Sequence, residues 1–216
     1  MRVDLYGTVH KGLRARLFDL GVELDRCDFT KPLEVAVAMS AYRRTMGFVH
    51  EHHHHEDEFI EPVLQPCGGD IASSVAAQHS RMHTSLAELD ALVAAIDRSP
   101  DDRRATGAVL CGRFRTFLAE YLQHMDYEET VVNAGLWATC SDPDLMALHG
   151  RLHASIPMPR FIEWLEILLP AINFDERTAM LRGLKAHAPT SMFEAVTSLA
   201  SRVLGPAGWD AVRGQL

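Results

Sequence analysis

Apolar residues recur at three- and four-residue steps along almost the whole chain, and period-two alternation is scarce, so the pattern predicts an all-α protein. A first helix is expected over about 3–25, a second, unusually long, over about 33–64, a third over about 71–98 and a fourth over about 102–133. The breaks carry residues that stop and restart helices. Thr30 is placed to cap and Pro32 suits a first turn in CDFTKP; Pro66, Gly68 and Gly69 precede Asp70 as a cap in QPCGGD; RSPDD makes a turn; Asn133-Ala134-Gly135 closes the fourth helix. Gly47 is a point where the second helix could bend. Beyond 141 the segments shorten. Asp142-Pro143, Pro157 with Pro159, Asn173 or Asp175, Ser191 with Glu194 at capping-box spacing, and Gly205-Pro206 mark four or five further helices. Long helices joined by short turns predict an up-down-up-down four-helix bundle over 1–135, with a C-terminal helical extension over 136–216.

Polar residues interrupt the apolar stripes of all four long helices. The first stripe runs Tyr6, His10, Leu13, Leu17, Leu20, Leu24, and the second Val49, His52, Glu56, Ile60, Val63. The third runs Ala72, Val75, His79, His83, Leu86, Asp90, Val93, and the fourth Phe114, Phe117, Tyr121, His124, Glu128, Val131. Seven residues therefore stand out: His10, His52, Glu56, His79, His83, His124 and Glu128. His53 lies beside His52 and is the second choice, whereas the face through His54 and Glu58 carries Gly47, His50, Glu51 and Glu61 and reads as solvated. Spacing of i,i+4 stacks two side chains one turn apart, both aimed at one place. Reflecting positions through the turns of an antiparallel bundle puts all seven near one level.

Leaving such groups buried and unpaired would cost on the order of 1–3 kcal/mol each, enough in sum to consume the stability of a domain. A bound cation is the economical remedy. Imidazoles with carboxylates suit a first-row metal; calcium prefers all-oxygen sites, and structural zinc usually takes four ligands including thiolate. Seven ligands are too many for one ion and suit two, bridged by the carboxylates, with a position left open for a small ligand.

Composition narrows the setting. The chain has 216 residues and a formal net charge of −8, which argues against a phosphate-contacting nucleic-acid binder. Of its 12 histidines, five fall in the run from His50 to His55. The four cysteines include no CxxC pair, no leader-like or membrane-spanning stretch is evident, and the expectation is a soluble cytoplasmic protein with reduced thiols.

Taken in order, His10, HHHHEDEFIEPVL (52–64), HSRMH (79–83) and HMDYEE (124–129) resemble the hemerythrin-like, HHE cation-binding family over roughly 1–135. In that family a proline commonly follows the second-helix ligand Glu by six residues, so Pro62 favours Glu56 with His52. The resemblance implies a non-haem di-iron centre, bridged by two carboxylates and an oxo or hydroxo group, that binds dioxygen, nitric oxide or a similar small ligand. Zinc or nickel could substitute for iron. Oxygen-carrying hemerythrins place an aspartate five residues after the fourth-helix His; here Glu128 stands at four and Glu129 at five, and both stay open. The extension goes beyond the minimal bundle, which argues against simple oxygen carriage.

Plainer readings compete for several residues. HEHHH (50–54) satisfies HExxH, the zinc-protease pattern, but in so His-rich a run the match is nearly automatic. His50, His54 and His55 read as a solvated face, His149 and His153 as a surface or half-buried pair, and Trp137, Trp164 and Trp209 as packing anchors. Tyr121 is expected as a core aromatic within reach of the centre, His187 near a helix C-terminus, and the cysteines as buried fillers. The leading function is a sensor or carrier of a small oxidant. The alternatives are a di-iron oxidase, peroxidase or nitric oxide reductase, a metal store for iron, zinc or nickel, and a scaffold with a degenerate site. The extension could restrict access, relay a change of state or mediate a homodimer. No nucleic-acid or membrane partner is expected.

Overall fold

A computed structural model of the chain describes residues 2–216. Among them the secondary structure is helical, with no strand. Helix α1 spans Gly7–Arg26 and α2 spans Pro32–His55. The rod of α2 runs on through a π-helical turn at Glu56–Ile60, an α-helical turn at Glu61–Leu64 and a 3-10 turn at Gln65–Cys67. Helix α3 spans Gly69–Arg98, and after a 3-10 turn at Pro100–Asp102 α4 spans Arg103–Tyr127. Its rod continues through a second π-helical turn, Glu128–Val132, into Asn133–Thr139. Then follow α5 (Asp142–Ser155), α6 (Met158–Ala171), α7 (Phe174–His187) and α8 (Thr190–Arg213).

Some punctuation acts differently from expectation. The fourth rod does not stop at Asn133-Ala134-Gly135 but runs to Thr139, because Asn133 is itself buried and its amide donates to Asp4 Oδ1 at 2.8 Å. Thr30 does not cap α2; its hydroxyl and its N–H both donate to Asp28 Oδ1, and Lys31 holds the N-cap position ahead of Pro32. Gly68, not Asp70, precedes α3, at a φ of 118° that favours glycine. Asn173 does cap α7, in a reciprocal box with Glu176. The Ser191–Glu194 spacing forms no N-terminal box, since α8 begins at Thr190 behind Pro189. Gly205, at φ 66°, and Pro206 kink α8. The cysteines are free and partly exposed rather than buried.

The chain divides into two compact units. One comprises the residues up to Tyr6 with Arg16–Leu152; the other comprises Gly7–Ala15 with His153–Leu216. The first is a helical bundle. One of its apolar clusters joins Tyr6, Ile60, Leu64, Val75, Val132, Leu136 and Leu145. Farther along the same rods Phe48, Val49, Leu86, Phe114 and Phe117 are also buried. The His/Glu positions of α2, α3 and α4 fall in sequence between these two apolar zones, so hydrocarbon brackets them on either side. The second unit has its own cluster of Leu165, Leu169, Leu181, Val196, Leu199, Ala200 and Val212.

Close packing within the first unit makes one glycine indispensable. A Cβ added at Gly107 would fall 2.3 Å from Phe29 Cγ and within 2.5 Å of two further ring atoms. Gly107→Ala must push the Phe29 ring aside, and overpacking of that kind typically costs about 1–3 kcal/mol. The expected outcome is a lower urea midpoint with an unchanged denaturant slope; an unchanged midpoint would show that the ring moves freely.

Candidate metal centre

Two π-helical turns begin at the two acidic residues singled out by the sequence. On α2 the buried positions run His52, Glu56, Ile60, Leu64, and on the α4 rod His124, Glu128, Val132, Leu136, all in four-residue steps. On an α-helix of 3.6 residues per turn each such step drifts by about 40° around the axis. A wider turn takes that drift back and keeps the stripe facing one way. Each carboxylate is thereby aimed inward while the apolar residues after it still reach the core.

The stripes bring five of the expected residues together. Glu56, His79, His124 and Glu128 each offer a ligand atom, and these atoms lie within 4.8 Å of one another. His52, Glu56 and Glu128 meet the same spacing. Glu56 and Glu128 are thus common to both sets, and all five side chains are buried. His52 Nε2 lies 3.0 Å from Glu56 Oε1, His124 Nε2 lies 3.4 Å from Glu128 Oε1, and His79 Nε2 lies 3.8 Å from Glu56 Oε2 and 3.6 Å from Glu128 Oε1. Donors held about 2.0–2.2 Å from one ion at near-tetrahedral or octahedral angles stand roughly 3–3.6 Å apart, so three of these four spacings suit a shared cation and that between His79 and Glu56 is slightly longer.

The outer ring nitrogens are tied down. His79 Nδ1 is 2.7 Å from Asp57 Oδ1 and 3.1 Å from Glu61 Oε1, and His124 Nδ1 is 3.1 Å from Gln78 Oε1. Each Nδ1–H donates outward, which fixes the tautomer and leaves Nε2, without a hydrogen bond, as the inward ligand atom. Burial alone would lower the His79 pKa, but the carboxylates of Glu128, Glu56 and Asp57 outweigh it and raise the imidazole to about 9. Burial holds His124 below its usual range, against the pull of Glu128 and Glu56. Burial first, and the same two carboxylates next, raise the Tyr121 phenol well above its ordinary value.

The remaining expectations fare differently. His10 is fully buried on α1, within the segment that groups with the second unit. His83 is not brought to the cluster: its side chain is 51% exposed and its Nε2 lies 3.6 Å from Asp57 Oδ2. The inward face of α3 runs Val75, His79, Met82, Leu86, Leu89, Val93, alternating four and three, so Met82 and Leu89 take the places expected for His83 and Asp90. His83→Ala should therefore leave metal stoichiometry unchanged while His79→Ala lowers it; elemental analysis of the two purified variants checks this, and equal losses would contradict it. Glu128 is buried and Glu129 only partly so. His50 and His54 are exposed, 3.0 Å from Asp90 and 3.4 Å from Glu58 respectively, and do not form a zinc-protease site.

Sequence reasoning passed over Asp57, Glu61 and Gln78 as partners of the ligands. Asp57 and Glu61 are themselves i,i+4, and Gln78 precedes His79, but nothing in the stripe pattern marks outward positions. It offered His53, which is buried, only as the second choice beside His52.

The family model for the hemerythrin HHE cation binding domain matches residues 1–134. The chain belongs to that family. No curated protein and no solved structure matches it. Buried imidazole nitrogens and carboxylate oxygens converging within 4.8 Å of one another fit the cation the family is defined by. No helix among the described residues is long and apolar enough to cross a membrane.

Proposed function

We propose that the protein is a non-haem di-iron protein that takes up dioxygen, nitric oxide or a related small oxidant as a sensor or carrier. The observation that carries this reading is the sharing of Glu56 and Glu128 by two sets of ligand atoms. One carboxylate pair common to two sets is what two neighbouring cations need. His79 and His124 serve one ion and His52 the other. His83 stays outside this set.

Two iron ions in such a cradle supply redox chemistry toward small oxidants. The protein's own residues hold the ligand nitrogens in the metal-binding tautomer through Asp57 and Gln78, and exclude bulk water with the apolar zones around Phe117 and Ile60. Anaerobic loading with ferrous iron followed by admission of oxygen tests the reading. The expected result is two irons per chain and an oxygen-dependent absorbance in the near-ultraviolet and visible. No optical change, with the iron bound, would count against it. The same ligands would also serve an oxidase, peroxidase or nitric oxide reductase; sustained turnover of peroxide or nitric oxide, in place of stoichiometric uptake, would favour that alternative.

A further inference from the structure

Two buried polar side chains beside the centre belong to neither ligand set. His53 is 1% exposed and neither of its ring nitrogens has a hydrogen-bond partner among the described residues. Tyr121 is 0% exposed and its hydroxyl is likewise without one. Native interiors pair nearly all such groups, so each orphan needs an explanation. Two orphans in contact, at the edge of a metal centre, share one.

Their placement is specific. The His53 ring centroid lies 5.2 Å from Tyr121, 5.3 Å from His79 and 5.7 Å from His124, but 6.2 Å from His52. Tyr121 lies 5.8 Å from His124 and is stacked on the buried ring of Phe117 at 5.3 Å, which fixes its direction. Both groups therefore flank the His79–His124 half of the centre. An imidazole carries at least one N–H donor in either tautomer, and a phenol carries one O–H. The missing partner is thus small, fits among packed rings, and offers an acceptor atom.

We propose that His53 and Tyr121 are the ligand-binding residues of the centre, donating hydrogen bonds to a small anion or diatomic ligand docked on the His79–His124 side. This rests on the di-iron reading above and adds where the ligand lies and what holds it. His53 is a positioning donor here and not a metal ligand.

Azide binding to the oxidised, iron-loaded full-length protein tests the assignment, with iron content measured on each sample. His53→Leu and Tyr121→Phe are each expected to keep two irons and to weaken azide roughly 3- to 10-fold, the effect of losing one neutral hydrogen bond. His53→Gln, which restores a donor, should recover part of the affinity. In the metal-free protein Tyr121→Phe should melt no lower than the wild type, since its hydroxyl has no partner to lose; a lower melting temperature would mark a structural role and overturn the proposal. Unchanged azide affinity in both iron-loaded variants would also overturn it. Loss of one iron from His53→Leu would make His53 a ligand and overturn its role as donor. A wild-type protein unable to hold an iron pair would instead defeat the di-iron reading, a failure that iron content alone identifies.

Discussion

Glu128→Ala is expected to strip the protein of both ions, not one. Its carboxylate belongs to both sets of ligand atoms, so its removal leaves each ion short of a donor and leaves the two cations without a shared anion between them. His124→Ala takes a ligand from one set only and should leave the His52 side able to hold metal. Binding to the folded state alone stabilises it by about 4 kcal/mol when free metal stands at a thousand times its dissociation constant. For a chain of this size that amounts to roughly 8–16 °C in melting temperature. The wild type should show a rise of this order on adding ferrous iron, His124→Ala a smaller one, and Glu128→Ala none. Glu128→Gln, which keeps the volume but not the charge, should behave like the alanine variant. Retention of one tightly bound ion by Glu128→Ala would mean that the carboxylate serves a single cation.

The second large effect is a pH dependence of opposite sign with and without metal. In the metal-free protein His79 holds its proton up to about pH 9, through the carboxylates of Glu128, Glu56 and Asp57 that outweigh its burial. A folded-state pKa raised above the unfolded value of about 6.5 contributes stability that is complete below pH 6.5 and is lost as pH rises through 9. Metal reverses the sign, because the ion takes the Nε2 site only once the proton has left. The metal-free melting temperature should therefore fall between pH 6.5 and 9 while the gap between metal-loaded and metal-free protein widens. Iron or zinc binding near pH 7.5 should release at least one proton, measurable by calorimetry in buffers of different ionisation enthalpy. A gap that narrows with rising pH would show that His79 is not displaced from its proton by the ion.

Much of this arrangement could be read along the chain, for a physical reason. A helix facing a core repeats its apolar residues, so His52, Glu56, His79, His124 and Glu128 are conspicuous as breaks in a pattern, and all five are buried. The same logic fails where two phases lie close together. His83 and Met82 are neighbours on α3, and the alternation of four and three that buries Met82 is settled by packing across the bundle rather than within the helix. The π-helical turns were present in the sequence as runs of four-residue steps, 52–56–60–64 and 124–128–132–136, which an α-helix cannot keep on one face. The outward partners Asp57 and Gln78 were not legible, because a carboxylate or amide on the far side of an imidazole looks like any solvated residue until the neighbouring helix is in place. Asn133 shows the converse: a residue that commonly ends a helix is carried through one when its own buried amide finds an acceptor in Asp4.

Anomalous diffraction from crystals of the iron-loaded protein, recorded on either side of the iron absorption edge, is the most direct measurement. It should reveal two peaks inside the bundle, both beside Glu56 and Glu128, with His79 and His124 on one and His52 on the other. A single peak, or peaks confined to the exposed histidines at 50 and 54, would contradict a carboxylate-bridged pair of ions.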